Sequence, residues 1–187
     1  MIIYIHGFNS SPASSKAQLL GARLAALGRA SEFAVPALPH SPAAAAALLD
    51  RLARAHPGAC LVGSSLGGYY ATWLAERLEL RAVLVNPAVR PYVLLAGQVG
   101  RQKNLHTGEE YEFAARYLDE LRELEVETLT PDHYLLLVET GDEVLDYRHA
   151  VARYRGAHQL VIEGGDHGFS DFADYLDQVL EFCRVRA

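Results

Sequence analysis

Six short apolar runs punctuate the chain, at residues 2–5, 33–37, 59–63, 82–86, 134–139 and 159–163. Most are apolar at successive rather than alternate positions, as in strands of a parallel sheet covered on both faces. The segments between them carry a helical period. Residues 14–27 place Ala17, Leu20, Leu24 and Leu27 on one face, and 43–55 do the same with Ala45, Leu48, Leu49 and Leu52. At the end of the chain Phe169, Phe172, Ala173, Leu176, Val179, Leu180 and Cys183 align as the apolar face of a last helix. Strand and helix alternate, so the pattern predicts an α/β fold, a doubly wound and mainly parallel six-stranded sheet.

One interval is too long for a simple crossover. Nearly fifty residues separate Asn86-Pro87 from the run at 134. They hold Pro91-Tyr92-Val93-Leu94-Leu95, a polar stretch from Gly97 to Glu110, and a helical pattern with Ala114, Tyr117, Leu118 and Leu121 on one face. Residues 88–130 are therefore read as a small helical cap or lid inserted into a single domain spanning 1–187; the plainer alternative is a crossover helix with a long solvated loop.

At 187 residues, half of them apolar, the chain can bury one good core and is too short for two ordinary domains. The formal charge of −6, from 17 Lys and Arg against 23 Asp and Glu, comes without a basic cluster and disfavours nucleic acid as a partner. Cys60 and Cys183 lack the spacing of a zinc or redox motif and read as two buried, reduced thiols. No run approaches the ~20 apolar residues of a membrane span, and the first residues read as a strand rather than a signal peptide. A cytoplasmic protein is the expectation; the oligomeric state is left open.

Candidate chemistry lies at the ends of the predicted strands. Gly63-Ser64-Ser65-Leu66-Gly67 follows the apolar Cys60-Leu61-Val62 and precedes the helix-like Tyr69 to Ala75. Strand, tight turn and helix are the context in which G-x-S-x-G forms a nucleophile elbow, which makes Ser65 the candidate nucleophile and the N–H of Leu66 a candidate oxyanion donor. Ile2-Ile3-Tyr4-Ile5 runs into His6-Gly7-Phe8-Asn9, a loop where a backbone N–H could face an oxyanion. Downstream, Asp142 follows the run at 134 and His167 follows the run at 159, each at a strand end. The order Ser65, Asp142, His167 differs from those of the chymotrypsin-like and subtilisin-like proteases and is that of α/β-hydrolases.

On these residues the chain resembles an α/β-hydrolase, and more narrowly the small YqiA-like bacterial esterases. The stretches I-I-Y-I-H-G-F-N-S-S-P-A-S-S-K-A, G-S-S-L-G-G-Y-Y-A-T-W-L-A, N-P-A-V-R-P-Y, T-G-E-E-Y, G-D-E-V-L-D-Y and G-G-D-H-G-F all fit, and they span Met1 to Phe169. The resemblance implies a trimmed α/β-hydrolase fold without leading antiparallel strands. It also implies a serine esterase for carboxylic esters or acyl thioesters, including acyl-CoA, and places Phe8 as the second oxyanion donor. Ser65 would attack, His167 would take its proton and return it to the leaving group, and Asp142 would fix the imidazole.

Each assignment has a competitor. Ser65 could be an ordinary helix N-cap, Ser64 a rival hydroxyl, and Asp146 or Asp166 the acid; Asp146 is better placed to open a helix, and Asp166 would have to bend back to reach its neighbour's ring. His6 reads as holding the loop in shape. The remaining histidines form no metal-binding spacing, and the glycines at 63–68 match neither a P-loop nor a dinucleotide fingerprint, so neither metal nor cofactor is expected. Tyr69, Tyr92, Leu94, Leu95, Tyr111 and Phe113 could line an acyl pocket, and Arg90, Arg101 and Lys103 could form a patch for CoA phosphates. A binding protein on a hydrolase fold, or an acyltransferase or peptidase using the same residues, would carry the same motifs.

Overall fold

The computed structural model describes residues 1–184. The main sheet is parallel throughout, built from β1 (Ile2–Ile5), β2 (Phe33–Ala34), β3 (Cys60–Ser64), β4 (Arg81–Val85), β7 (Tyr134–Glu139) and β8 (His158–Ile162) in the order β2-β1-β3-β4-β7-β8. All six expected strands are present. The second is two residues long rather than five, ending before Val35-Pro36, where proline has no N–H to give a ladder.

Because side chains alternate across a strand, the sheet has two apolar faces and two cores. Ile3, Ile5, Leu61, Leu84 and Leu136 pack toward α2 (Pro42–Ala55), α3 (Leu66–Leu78), α5 (Arg116–Arg122) and α6 (Tyr147–Arg153). Ile2, Tyr4, Val62, Val83 and Leu137 pack toward α1 (Ser15–Ala26) and α7 (Leu176–Phe182). Helices α1 and α2 match their apolar periods closely, and α2 opens on Pro42 with the Ser41 hydroxyl accepting the Ala44 N–H at 3.3 Å. The last helix is shorter than its pattern. Residues Phe172–Tyr175 form a 3₁₀ turn, and only Leu176–Phe182 are α-helical, so the apolar face is continuous while the helix is not.

Cys60 in β3 and Cys183 just beyond α7 are joined in a disulfide, with Cα atoms 5.4 Å apart across 123 residues of sequence. The expectation of two reduced thiols is corrected here. Both side chains belong to the core between the sheet and α7, and this proximity arises from the return of the last helix onto a central strand, which local spacing does not encode.

The interval after β4 folds as a short α4 (Pro91–Leu94), an antiparallel hairpin of β5 (Gly100–Lys103) and β6 (Glu110–Phe113), and α5. The hairpin is laced to the loop after β1. Tyr111 donates its hydroxyl to Asn9 Oδ1 at 2.7 Å, Leu105 N–H donates to the Asn9 carbonyl at 3.0 Å, and Asn104 Nδ2 donates to the Ser10 carbonyl at 2.9 Å. Phe113, buried, meets Phe8 edge-on at 5.3 Å. No helix among the described residues is long and apolar enough to cross a membrane.

The chain leaves β1 toward β2 on one side, while β3 lies on the other, so the strand order reverses between β1 and β3. At such a switch point the loops from the carboxyl ends of the two strands part and leave a crevice. Leu84, in β4 with none of its surface exposed, tests the sheet that positions this crevice: Leu84→Ala should lower unfolding free energy by about 2–5 kcal/mol in urea titrations.

Candidate active site

Ser65 stands at the turn from β3 into α3, in a strained backbone conformation with φ 54° and ψ −121°. It occupies the N-cap position, yet its side chain makes no capping bond, so the ordinary reading of a serine there does not hold. The turn requires close backbone approach. A Cβ on Gly67 would lie 1.9 Å from the Ile5 carbonyl oxygen, and one on Gly63 would lie 2.4 Å from that of Gly67. Helix α3 thus starts in direct contact with the end of β1. Gly7 completes the contact, since a Cβ there would meet Cβ of Ser65 at 3.2 Å.

This approach brings the His6-Gly7-Phe8 loop alongside Ser65. Leu66 is the first residue of α3, so its N–H has no partner one turn earlier in the helix. His6 holds the loop's shape: Nε2 accepts the Leu38 N–H at 3.3 Å, which leaves Nδ1–H to donate to the Gly7 carbonyl at 3.1 Å. Burial lowers the His6 pKa, in keeping with a neutral ring. Ser64 is buried, with its hydroxyl near that of Tyr4.

His167 and Asp142 come from the loops after β8 and β7. Ser65 Oγ lies 3.1 Å from His167 Nε2, and His167 Nδ1 lies 2.8 Å from Asp142 Oδ2. With Nδ1–H donating to the carboxylate, Nε2 is free to accept the serine proton. The Asp142 side chain is only 2% exposed. Burial alone would raise its pKa, but the His167 bond and the Leu145 and Val144 N–H donors, at 2.8 and 2.9 Å, hold it below the ordinary carboxylate range. Asp146 instead caps α6, accepting the Arg148 N–H at 3.0 Å, and Asp166 turns its carboxylate to the Ser170 hydroxyl.

Several residues that support this arrangement carry no motif of their own. Asn86, 2% exposed and at φ 41°, donates Nδ2 to the Asp166 carbonyl at 3.0 Å while its Oδ1 accepts the Glu139 N–H at 3.0 Å. The Glu143 carboxylate accepts the His167 N–H at 3.0 Å, and the buried Lys16 ammonium donates to the Gly168 carbonyl. The only sign of them in the sequence is a polar residue at a strand end or on the inward face of a helix. No group of three or more His, Cys, Asp or Glu side chains among the described residues is placed to hold a metal ion.

Two cavities flank the crevice. A groove of about 930 Å³ runs between α4 and α6, walled by Pro87, Val89, Val93, Leu94 and Leu145 with Arg90 at its side. It is one residue from the serine turn on one side, where Ala88 N–H donates to the Ser65 carbonyl at 3.1 Å, and reaches the Asp142 loop on the other. A cleft of about 40 Å³ lies against Phe8 and Leu66, closed by Leu38, His40, Tyr111 and Phe113. The aromatic and aliphatic residues expected to form one acyl pocket are therefore divided. Leu94 belongs to the groove, Tyr111 and Phe113 to the cleft, Tyr69 bonds the Leu121 carbonyl, and Tyr92 bonds the Glu125 carboxylate. Arg101 and Lys103 line neither cavity, so they do not form one patch with Arg90 there.

Comparison with known proteins agrees with this architecture. Residues 1–184 match the family described as "Uncharacterised protein family (UPF0227)". The chain belongs to the UPF0227 family. Among UPF0227 proteins it is 26% identical to the protein YcfP of Salmonella paratyphi A, over 97% of this chain and 98% of that one. Solved structures similar to this UPF0227 chain include mouse alpha/beta hydrolase domain-containing protein 10, with a TM-score of 0.71 at 17% identity over 96% of this chain and 89% of that one. Est1E from Butyrivibrio proteoclasticus gives a TM-score of 0.72 at 16% identity, over 99% and 88% of the two chains. The fold of this UPF0227 chain is the α/β-hydrolase fold, in a trimmed form.

Two outcomes follow from the buried polar contacts. Asn86→Asp turns an oxygen toward the Asp166 carbonyl where an N–H now donates, and should cost about 2–4 kcal/mol in urea titrations at neutral pH. The Asp142 pKa is depressed, so the unfolded chain binds the proton first as pH falls; the stability that this carboxylate contributes is present above about pH 4 and lost as pH falls through its lowered value. The stability gap between wild type and Asp142→Asn should accordingly narrow as pH is lowered below 4.

Proposed function

We propose that this protein is a serine hydrolase that cleaves carboxylic esters or acyl thioesters through an acyl-enzyme intermediate. The observation that carries the reading is the continuous chain Ser65 Oγ, His167 Nε2 and Nδ1, Asp142 Oδ2, at 3.1 and 2.8 Å, with Ser65 held at positive φ on an elbow.

His167 removes the Ser65 proton as Oγ attacks the carbonyl carbon, and Asp142 stabilises the imidazolium that results. The N–H groups of Leu66 and Phe8 receive the developing oxyanion. The imidazolium then returns the proton to the departing alcohol or thiol, leaving the acyl group on Ser65. Water, deprotonated by His167, attacks this ester and releases the acid. Support for small-molecule substrates comes from the groove beside Pro87 and Leu145 and the small cleft against Phe8 and Leu66, both close to the serine turn. A thermophilic esterase from Thermogutta terrifontis among the structural neighbours points the same way. Residues 88–130 serve in this reading as a cap over the crevice, with α4 forming a wall of the groove and the β5–β6 hairpin bearing on the oxyanion loop.

Exposure to a fluorophosphonate should add one adduct at Ser65, seen by intact mass, with none on Ser65→Ala. Ser65→Ala and His167→Ala should each lower turnover of a p-nitrophenyl ester by about 10⁴-fold or more while the fold survives. A folded Ser65→Ala protein with near-normal turnover would overturn the reading. A folded wild type that takes no adduct and turns over no ester would favour a binding role instead.

A further inference from the structure

Beneath the turn that carries His167 lies a group of buried charges that the proposed chemistry does not use. Glu139, the last residue of β7, has none of its surface exposed. Its Oε2 accepts the Asp166 N–H at 2.8 Å, and its carboxyl lies flat against Gly165, where a Cβ would come within 2.4 Å of both of its oxygens. Gly165 sits at φ 74°, so neither its backbone nor its surroundings tolerate a side chain.

The other oxygen of Glu139, Oε1, is buried with no donor, and so is Oδ1 of Asp171. The Asp171 carboxyl lies near that of Glu139 and helps to raise its pKa. Two carboxylates so placed would each leave a buried oxygen without a donor and would repel, whereas a single proton between them satisfies both oxygens. Since Glu139 holds residue 166 and Asp171 opens the 3₁₀ turn at Phe172–Tyr175, a bond between them ties together the two flanks of His167.

We propose that Glu139 and Asp171 share one proton as a carboxyl pair that fixes the His167 turn, and that loss of this proton releases the turn and slows hydrolysis at alkaline pH. Both are positioning residues, acting through His167, and the effect on turnover rests on the serine-hydrolase reading. The groups that face the pair come from several sides: Lys16 of α1, whose own charge also feels Asp142, Asp166 of the loop after β8, and Tyr175 of the 3₁₀ turn. Lys16 is the nearby cation, and burial lowers its pKa while the carboxylates of Asp166, Glu139 and Asp142 draw it back up. Burial first, then Asp171 and Asp166, raises the Glu139 pKa from 4.5 to about 7, although the Asp166 N–H opposes the rise. Between these values the folded protein keeps a proton that the unfolded chain has lost, so stability falls as pH rises across the window.

The test compares wild type, Glu139→Gln and Asp171→Asn, each of which replaces the shared proton by a permanent amide donor. Wild-type kcat for a p-nitrophenyl ester should fall about fivefold or more between pH 7 and 9 with KM within about twofold, and the fall should shrink below about twofold in both variants. Urea midpoints supply a readout that needs no activity: the midpoint of Glu139→Gln minus that of wild type should grow from pH 5 to pH 8. An alkaline fall of wild-type depth in either folded variant overturns the proposal, and so does a midpoint difference that is constant with pH. Ser65→Ala measured alongside separates the two readings, because residual turnover there overturns the hydrolase while the midpoints still decide the carboxyl pair.

Discussion

Backbone lying directly on backbone is the constraint from which the site follows. The carbonyl of Ile5 at the end of β1 occupies the space that a side chain on Gly67 would need, and the carbonyl of Gly67 occupies that of Gly63. Only with both glycines can α3 leave β3 so abruptly, and only an abrupt exit lifts Ser65 above the sheet at positive φ. The same contact sets Gly7 against Ser65, so that one packing event defines both the nucleophile and the loop that would receive its oxyanion. Strain at Ser65 is held by the four central strands on which the turn is mounted, buried at every position but Arg81.

The second half of the site depends on polar groups buried at strand ends. The loops after β7 and β8 are joined through Thr140, whose N–H donates to Ile162 at 2.8 Å and whose hydroxyl accepts the Gly164 N–H at 2.9 Å, and through the Gly141 N–H on the Gly164 carbonyl at 2.7 Å. Asn86 then ties β4 to both. Asn86 and Glu139 are buried, and there each bond must be made with a partner of the right kind, so the position of His167 is specified by hydrogen bonding as well as by hydrophobic packing. A proposed base set in this way depends on residues with no place in the reaction.

The sheet was legible because every central strand is apolar at successive positions, a pattern that few other structures impose. Ser65, Asp142 and His167 were legible for a different reason: each follows a strand, and a parallel sheet gathers its carboxyl ends on one edge. What the pattern could not show was contact between elements distant in sequence. The disulfide, the bonds from the β5–β6 hairpin to Asn9 and Ser10, and the meeting of Glu139 with Asp171 all join segments that are unremarkable alone. The apolar stripe from Phe169 to Cys183 was read as one helix because an i, i+3 face looks alike in a 3₁₀ turn and an α-helix over a few residues. The aromatic residues of 88–130 carried no sign of which cavity each would reach, since that is decided by the hairpin.

The bond between Cys60 and Cys183 encloses a covalent ring of the chain, and Ser65, Asp142 and His167 all lie within it. A single backbone cut at any peptide bond inside this ring, for instance in the hairpin's connecting residues 104–109, opens the ring without dividing the molecule. The two pieces stay joined through sulfur, with the nucleophile on one and the acid and histidine on the other. Phe8 lies outside the ring, on the arm that precedes Cys60. The integrity of the chain as one covalent object is thus set by the disulfide for one part of the proposed machinery and by the backbone alone for the other.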